Sequence, residues 1–189
     1  MDKKLGNPIW RLTISAMFLA IGLVLPFFTG QIPQIGKMLL PMHIPVLLCG
    51  FICGAPYGLV IGFILPFLRY LLFGMPVLLT AVSMAFELAT YGLVAGYCYA
   101  LSRHKCIIAL YRSLILAMVA GRMIWGIAQA ILLGLGSNRF TMEMFLAGSL
   151  LNAIPGIILQ LVFIPAVMLA LHQTGLVQLG KCETRKTEE

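Results

Sequence analysis

From Trp10 to Leu171 the sequence is a succession of apolar runs, each about as long as a bilayer is thick, separated by short clusters of glycine, proline or charge. A hydrocarbon core about 30 Å thick asks for about 20 apolar residues in helical form. The helix is required because lipid offers no partner for a bare N–H or C=O. The fold class that follows is all-α, a transmembrane helix bundle. Composition agrees: 61% of residues are hydrophobic and 10% charged, against about 45–50% and about 25% in soluble domains. A secreted disulfide scaffold, a disordered tail and a cytosolic enzyme are excluded on that ground. The chain reads as one integral membrane domain over residues 1–189, with the bundle over about 10–172 and a polar cytoplasmic tail over 173–189. The first apolar run is long for a secretion signal and no Ala-x-Ala site follows it, so it reads as a retained helix.

Six segments are expected: Trp10–Phe28, Pro41–Cys53, a third ending at Phe73, Leu78–Leu101, Ile107–Leu135 and Met144–Leu171. A turn is expected at the Pro/Gly cluster Gly54–Gly58, and a break at Gly74-Met75-Pro76. The second segment is short, and charge tests it. If it crosses, both termini share one side, which then carries Lys3, Lys4, Arg11, Arg103, Lys105, Arg112, Lys181, Arg185 and Lys186, with only Lys37 and Arg139 opposite. Basic residues mark the cytoplasmic side. The expectation is therefore a six-helix bundle with both termini cytoplasmic. The net charge of +7 is topology information facing anionic lipid, and no nucleic-acid module is present.

Three charged residues lie deep in these segments: Arg69, Glu87 and Arg122. A charge at the bilayer centre costs at least about 2.5–3.5 kcal/mol on insertion scales, so they should face a cavity or one another. Topology puts them, with His43, Gln129 and Asn152, toward the outer half of the bundle. Tyr70, Tyr91 and Trp125 can wall such a site. Glu87 can pair with Arg69 or with Arg122, which is also a purely structural arrangement. Either way one arginine is left over, and a guanidinium matches a carboxylate or phosphate bidentately. The small-residue pairs Ala16/Ala20 and Gly92/Gly96, and the ladder Gly50, Gly54, Gly58, Gly62, suit close helix packing inside the chain or against a partner.

Other chemistry is poorly supported. Glu87 has no second acid for paired acid–base work. His43, His104 and His172 are scattered, and although His43 lies near Cys49 and Cys53, small apolar filler is the simpler use of those cysteines. Gly175–Cys182 imitates a phosphate loop, but Cys182 stands where a Ser or Thr must hold magnesium. No catalytic residue, metal ligand or cofactor is assigned.

Several stretches carry a family resemblance: Ala16-Met-Phe-Leu-Ala20, the block HIPVLLCGFICGAPYGLVIGF from His43, Gly74-Met-Pro, Met84-Ala-Phe-Glu-Leu-Ala-Thr-Tyr-Gly and Asn152-Ala-Ile-Pro-Gly. With the size and topology, they resemble the substrate-binding S component of energy-coupling factor (ECF) vitamin importers, of the broad group with riboflavin and pantothenate carriers. The resemblance implies a binding subunit in a prokaryotic plasma membrane. It implies a vitamin-like cargo taken up from outside, and a loop after helix one (Thr29–Leu40) that helps close the site. Ala16 and Ala20 would dock a shared transmembrane coupling subunit, itself joined to two cytoplasmic ATPases. The expected cargo-binding residues are Arg69, Glu87, Arg122, Trp125, Gln129, Asn152, His43 and Tyr91, with an anionic, pantothenate-like cargo favoured by the arginine surplus. The rival is a self-sufficient carrier or channel working as a homo-oligomer.

Overall fold

A computed structural model describes residues 8–29, 41–102, 106–134 and 154–174. Asn152, the loop over 30–40, the start of the sixth segment and the sequence over 175–182 lie outside the described residues. The described residues form helices and turns, without strands. α1 (Pro8–Val24) runs into a 3-10 turn, Leu25–Thr29. It is followed by α2 (His43–Cys53), α3 (Ala55–Phe73), α4 (Leu78–Leu101), α5 (Ile107–Gly134) and α6 (Ile154–Gln173). α1 and α3 to α6 are long and apolar enough to cross a membrane. α2 is shorter, ~16 Å at 1.5 Å per residue.

α4 begins and ends where the apolar run predicts, at Leu78 and Leu101. The junction between α2 and α3 differs from expectation. The predicted turn over Gly54–Gly58 shrinks to one residue: Gly54 takes φ 104°, and α3 restarts at Ala55 with Pro56 in its first turn. A proline there sacrifices no helical hydrogen bond, since the first N–H groups of a helix have no partner in any case. The cluster therefore starts a helix instead of holding a loop. α3 stops at Gly74, whose left-handed φ of 67° lets its N–H donate to the Tyr70 carbonyl at 2.9 Å.

α4 is the hub, packing on α2, α3 and α5, while α1 lies across α2 and α3, and α6 contacts α5 and α2. The α2–α3–α4 contact is made by backbones. A Cβ added to Gly58 would lie 2.7 Å from the Gly92 carbonyl oxygen, and one added to Gly50 would lie 2.5 Å from the same atom. Gly62 meets the Leu88 carbonyl in the same manner, and Gly96 meets the backbone of Ala55 and Gly50. The glycine pairs thus pack within the chain. Ala16 and Ala20 behave differently: both are exposed on α1, among the outward apolar residues Leu12, Met17, Ile21 and Val24. Every residue of α2 except Ile52 is buried. An apolar core containing Leu47, Leu65, Leu88, Tyr91, Leu114, Ile164 and Met168 ties α2 through α6 together.

Candidate functional site

Glu87 lies ~14 Å along α4 from Leu78, on the face that turns into the bundle. Its carboxylate is 2% exposed. Two residues from other helices converge on its Oε1. Arg122 of α5 brings Nη1 to 2.9 Å, and His43, the first residue of α2, brings Nε2 to 3.3 Å. Tyr91, one turn beyond Glu87 on α4, closes the other side of His43: the two rings stand edge to face at 90°, with centroids 4.9 Å apart. The Tyr91 ring itself lies against Gly121, where a Cβ would strike the ring edge. Gly121 therefore admits Tyr91, and the next residue, Arg122, reaches Glu87. His43, Glu87, Tyr91 and Arg122 form one cluster drawn from three helices.

The contacts are ionic in character and leave much hydrogen-bonding capacity unused. Glu87 Oε1 receives no aligned N–H from either neighbour, and His43 Nδ1, Arg122 Nε and Arg122 Nη2 are buried without a hydrogen-bond partner. Nε and Nη2 point the same way from a guanidinium, forming its side-on edge, so Arg122 turns Nη1 to Glu87, has the Tyr91 hydroxyl beside it, and leaves Nε and Nη2 without an aligned acceptor. Such an edge fits a planar carboxylate with two parallel N–H···O bonds. Buried donors without acceptors are uncommon in folded proteins and call for an explanation.

The surplus arginine is Arg69, and it lies elsewhere. It is 6% exposed on α3, where Nη1 donates to the Leu23 carbonyl at the end of α1, at 3.5 Å. Its guanidinium sits 5.9 Å from the Phe27 ring centroid and 6.0 Å from that of Phe73. A cation held by a helix-end carbonyl and two aromatic faces is satisfied without an acid. The choice left open by sequence, Arg69 or Arg122 for Glu87, falls to Arg122. Trp125 and Gln129, one and two turns further along α5, are half-buried. Asn152 lies outside the described residues. Sequence reasoning overlooked Gln160 of α6, which is 1% exposed with neither amide atom hydrogen-bonded. Its signal was a lone amide in line with Gly156, Ile164 and Met168. Among the described residues no group of three or more His, Cys, Asp or Glu side chains could hold a metal ion.

Membrane-length helices wrapped around a largely buried ionic cluster define a multi-pass membrane protein that holds polar groups inside the bundle. The family model described as "ECF transporter, substrate-specific component" matches residues 10–171. The chain belongs to this family, and is thereby a substrate-specificity subunit of an ECF transporter, not itself an enzyme. No curated protein and no solved structure matches the chain.

Proposed function

We propose that this subunit captures an anionic, water-soluble micronutrient at the outer side of a prokaryotic plasma membrane. It then delivers the cargo through a transmembrane coupling subunit driven by two cytoplasmic ATPases. The observation that carries the cargo class is the unused side-on edge of Arg122, buried beside His43 and Tyr91. Glu87 orients that edge by holding Nη1. Arg122 and Glu87 balance in charge, and the His43 imidazole lies beside them. A pantothenate-like acid fits this description, with Trp125, Gln129 and Asn152 as further contacts.

The basic residues flanking the segments support six crossings with both termini cytoplasmic, α2 counting as the short crossing. The outward face of α1 supports a partner. Ala16 and Ala20 offer no bulk, and Ala20, Ile21, Val24 and Leu25 line a shallow apolar groove of about 310 Å³. Small residues at that spacing let another helix approach closely in lipid.

Mass spectrometry of small molecules released from protein purified in mild detergent tests the reading. A stoichiometric carboxylic acid is expected. A protein that arrives empty, shows no thermal shift with a vitamin panel and never co-purifies with ATPase subunits refutes it, and a homo-oligomeric carrier or channel then takes its place.

A further inference from the structure

We infer that Gln160 is a specificity-determining residue of the cargo site, reading an uncharged amide or hydroxyl group on a cargo whose carboxylate is read by Arg122. This rests on the proposed function and narrows its substrate class to carboxylic acids that also carry a neutral hydrogen-bonding group.

Four observations converge on it. Gln160 is 1% exposed, so its amide does not face lipid or water. Neither Oε1 nor Nε2 has a hydrogen-bond partner, and burying an amide with both functions unmatched is costly. Its face of α6 is fixed by the buried residues Gly156, Gln160, Ile164 and Met168, four residues apart and therefore stacked on one side of the helix. That side meets the cluster's own helices: α6 packs on α5, which carries Arg122, and on α2, which carries His43. Ile164, one turn from Gln160, belongs to the same core as Tyr91, Leu114 and Met118. Met118 in turn is one turn before Arg122 on α5. Gln160 therefore adds a carboxamide, with two N–H donors and a carbonyl acceptor, to a cluster made of a carboxylate, a guanidinium, an imidazole and a phenol. An amide that hydrogen-bonds its cargo also discriminates sharply, because an analogue without the matching group leaves it unpaired.

The test uses the full chain purified in detergent and stripped of small molecules, with Gln160→Met, which keeps length and volume, and Gln160→Leu as a second variant. The first readout is the melting temperature without cargo, which is expected to stay level or rise, since an unmatched amide is replaced by an apolar group. A fall of several degrees in both variants shows a structural hydrogen bond and overturns the inference. The second readout is binding of four probes. Pantothenate and biotin carry a carboxylate and an amide or ureido group, lipoate carries the carboxylate alone, and riboflavin carries no carboxylate. Wild type is expected to bind pantothenate or biotin at least tenfold better than lipoate, and either Gln160 variant should reduce that binding at least tenfold. Unchanged binding in a folded Gln160 variant, alongside loss in Glu87→Gln/Arg122→Gln, overturns the role of Gln160 and leaves the transport reading standing. A preference for lipoate or riboflavin overturns the cargo class in the same way. Wild type that binds none of the four, and releases no carboxylic acid on purification, overturns both.

Discussion

Replacing Arg122 by Gln removes the donor edge proposed for the cargo, but it also strands Glu87. At 2.9 Å the Coulomb attraction is about 6 kcal/mol for an effective dielectric of about 20. Desolvation of both ions cancels much of that. Breaking a buried pair from one side nevertheless costs roughly 3–5 kcal/mol, because the remaining charge is uncompensated. In a chain of this size about 1 kcal/mol moves the melting temperature by about 2–4 °C. Arg122→Gln and Glu87→Gln should therefore each melt roughly 6–20 °C below wild type. The double variant Glu87→Gln/Arg122→Gln strands neither partner's charge and should recover most of that loss, because the two carboxamides can hydrogen-bond each other where the ions met. Its cargo binding should not recover. Two charge-assisted hydrogen bonds at about 1.5–3 kcal/mol each are gone, which weakens binding at least a hundredfold by the usual conversion of about 1.4 kcal/mol per decade. The assay is a double-mutant cycle by thermal unfolding, with binding measured on all four proteins. Additive losses in the two single variants refute the ion pair. A stable double variant with wild-type affinity refutes the assignment of Arg122 to the cargo.

Arg69→Met should leave cargo affinity within about threefold of wild type, because Arg69 shares no partner with the Glu87 cluster and independent sites do not couple; calorimetry reads this, and a large loss would return Arg69 to the site. Gly92→Ala should cost more than about 3 kcal/mol in thermal unfolding, the upper end for overpacking, since the added methyl meets a carbonyl of α3 that cannot swing aside. A melting temperature unchanged from wild type would show the seam is looser than described. Ala16→Trp should leave binding intact while uptake by cells and co-purification with the coupling subunit are both lost. Normal uptake would mean that α1 presents some other face to the partner.

The five membrane-length helices were legible because length and apolarity alone announce such helices. α4 ends at Leu101 because the polar Ser102 follows, and it starts at Leu78 because Pro76 precedes it. The Pro56 junction was misread because proline and glycine mark turns and helix starts alike, and only backbone geometry separates the two uses. The polar cluster was half legible. His43, Glu87, Tyr91 and Arg122 were singled out from residue type and depth. Sequence could not choose between Arg69 and Arg122, because the choice depends on how α3 and α5 are rotated about their own axes. That rotation is settled by contacts such as Tyr91 on Gly121. Gln160 escaped notice because one neutral amide barely lowers the hydropathy of α6. Its burial is a property of the neighbouring helices.

The glycine seam has a consequence for recognition. His43 heads α2 and Glu87 sits on α4, and those two helices are spaced by carbonyl oxygens against bare α-carbons. No rotamer change can widen or narrow that gap. The imidazole and the carboxylate are held at a fixed separation before any cargo arrives, so little ordering remains to be done on binding and affinity is not spent on it. The same rigidity means that a change of cargo preference in this scaffold must come by exchanging side chains around the cluster, with the helices themselves staying where the glycines put them.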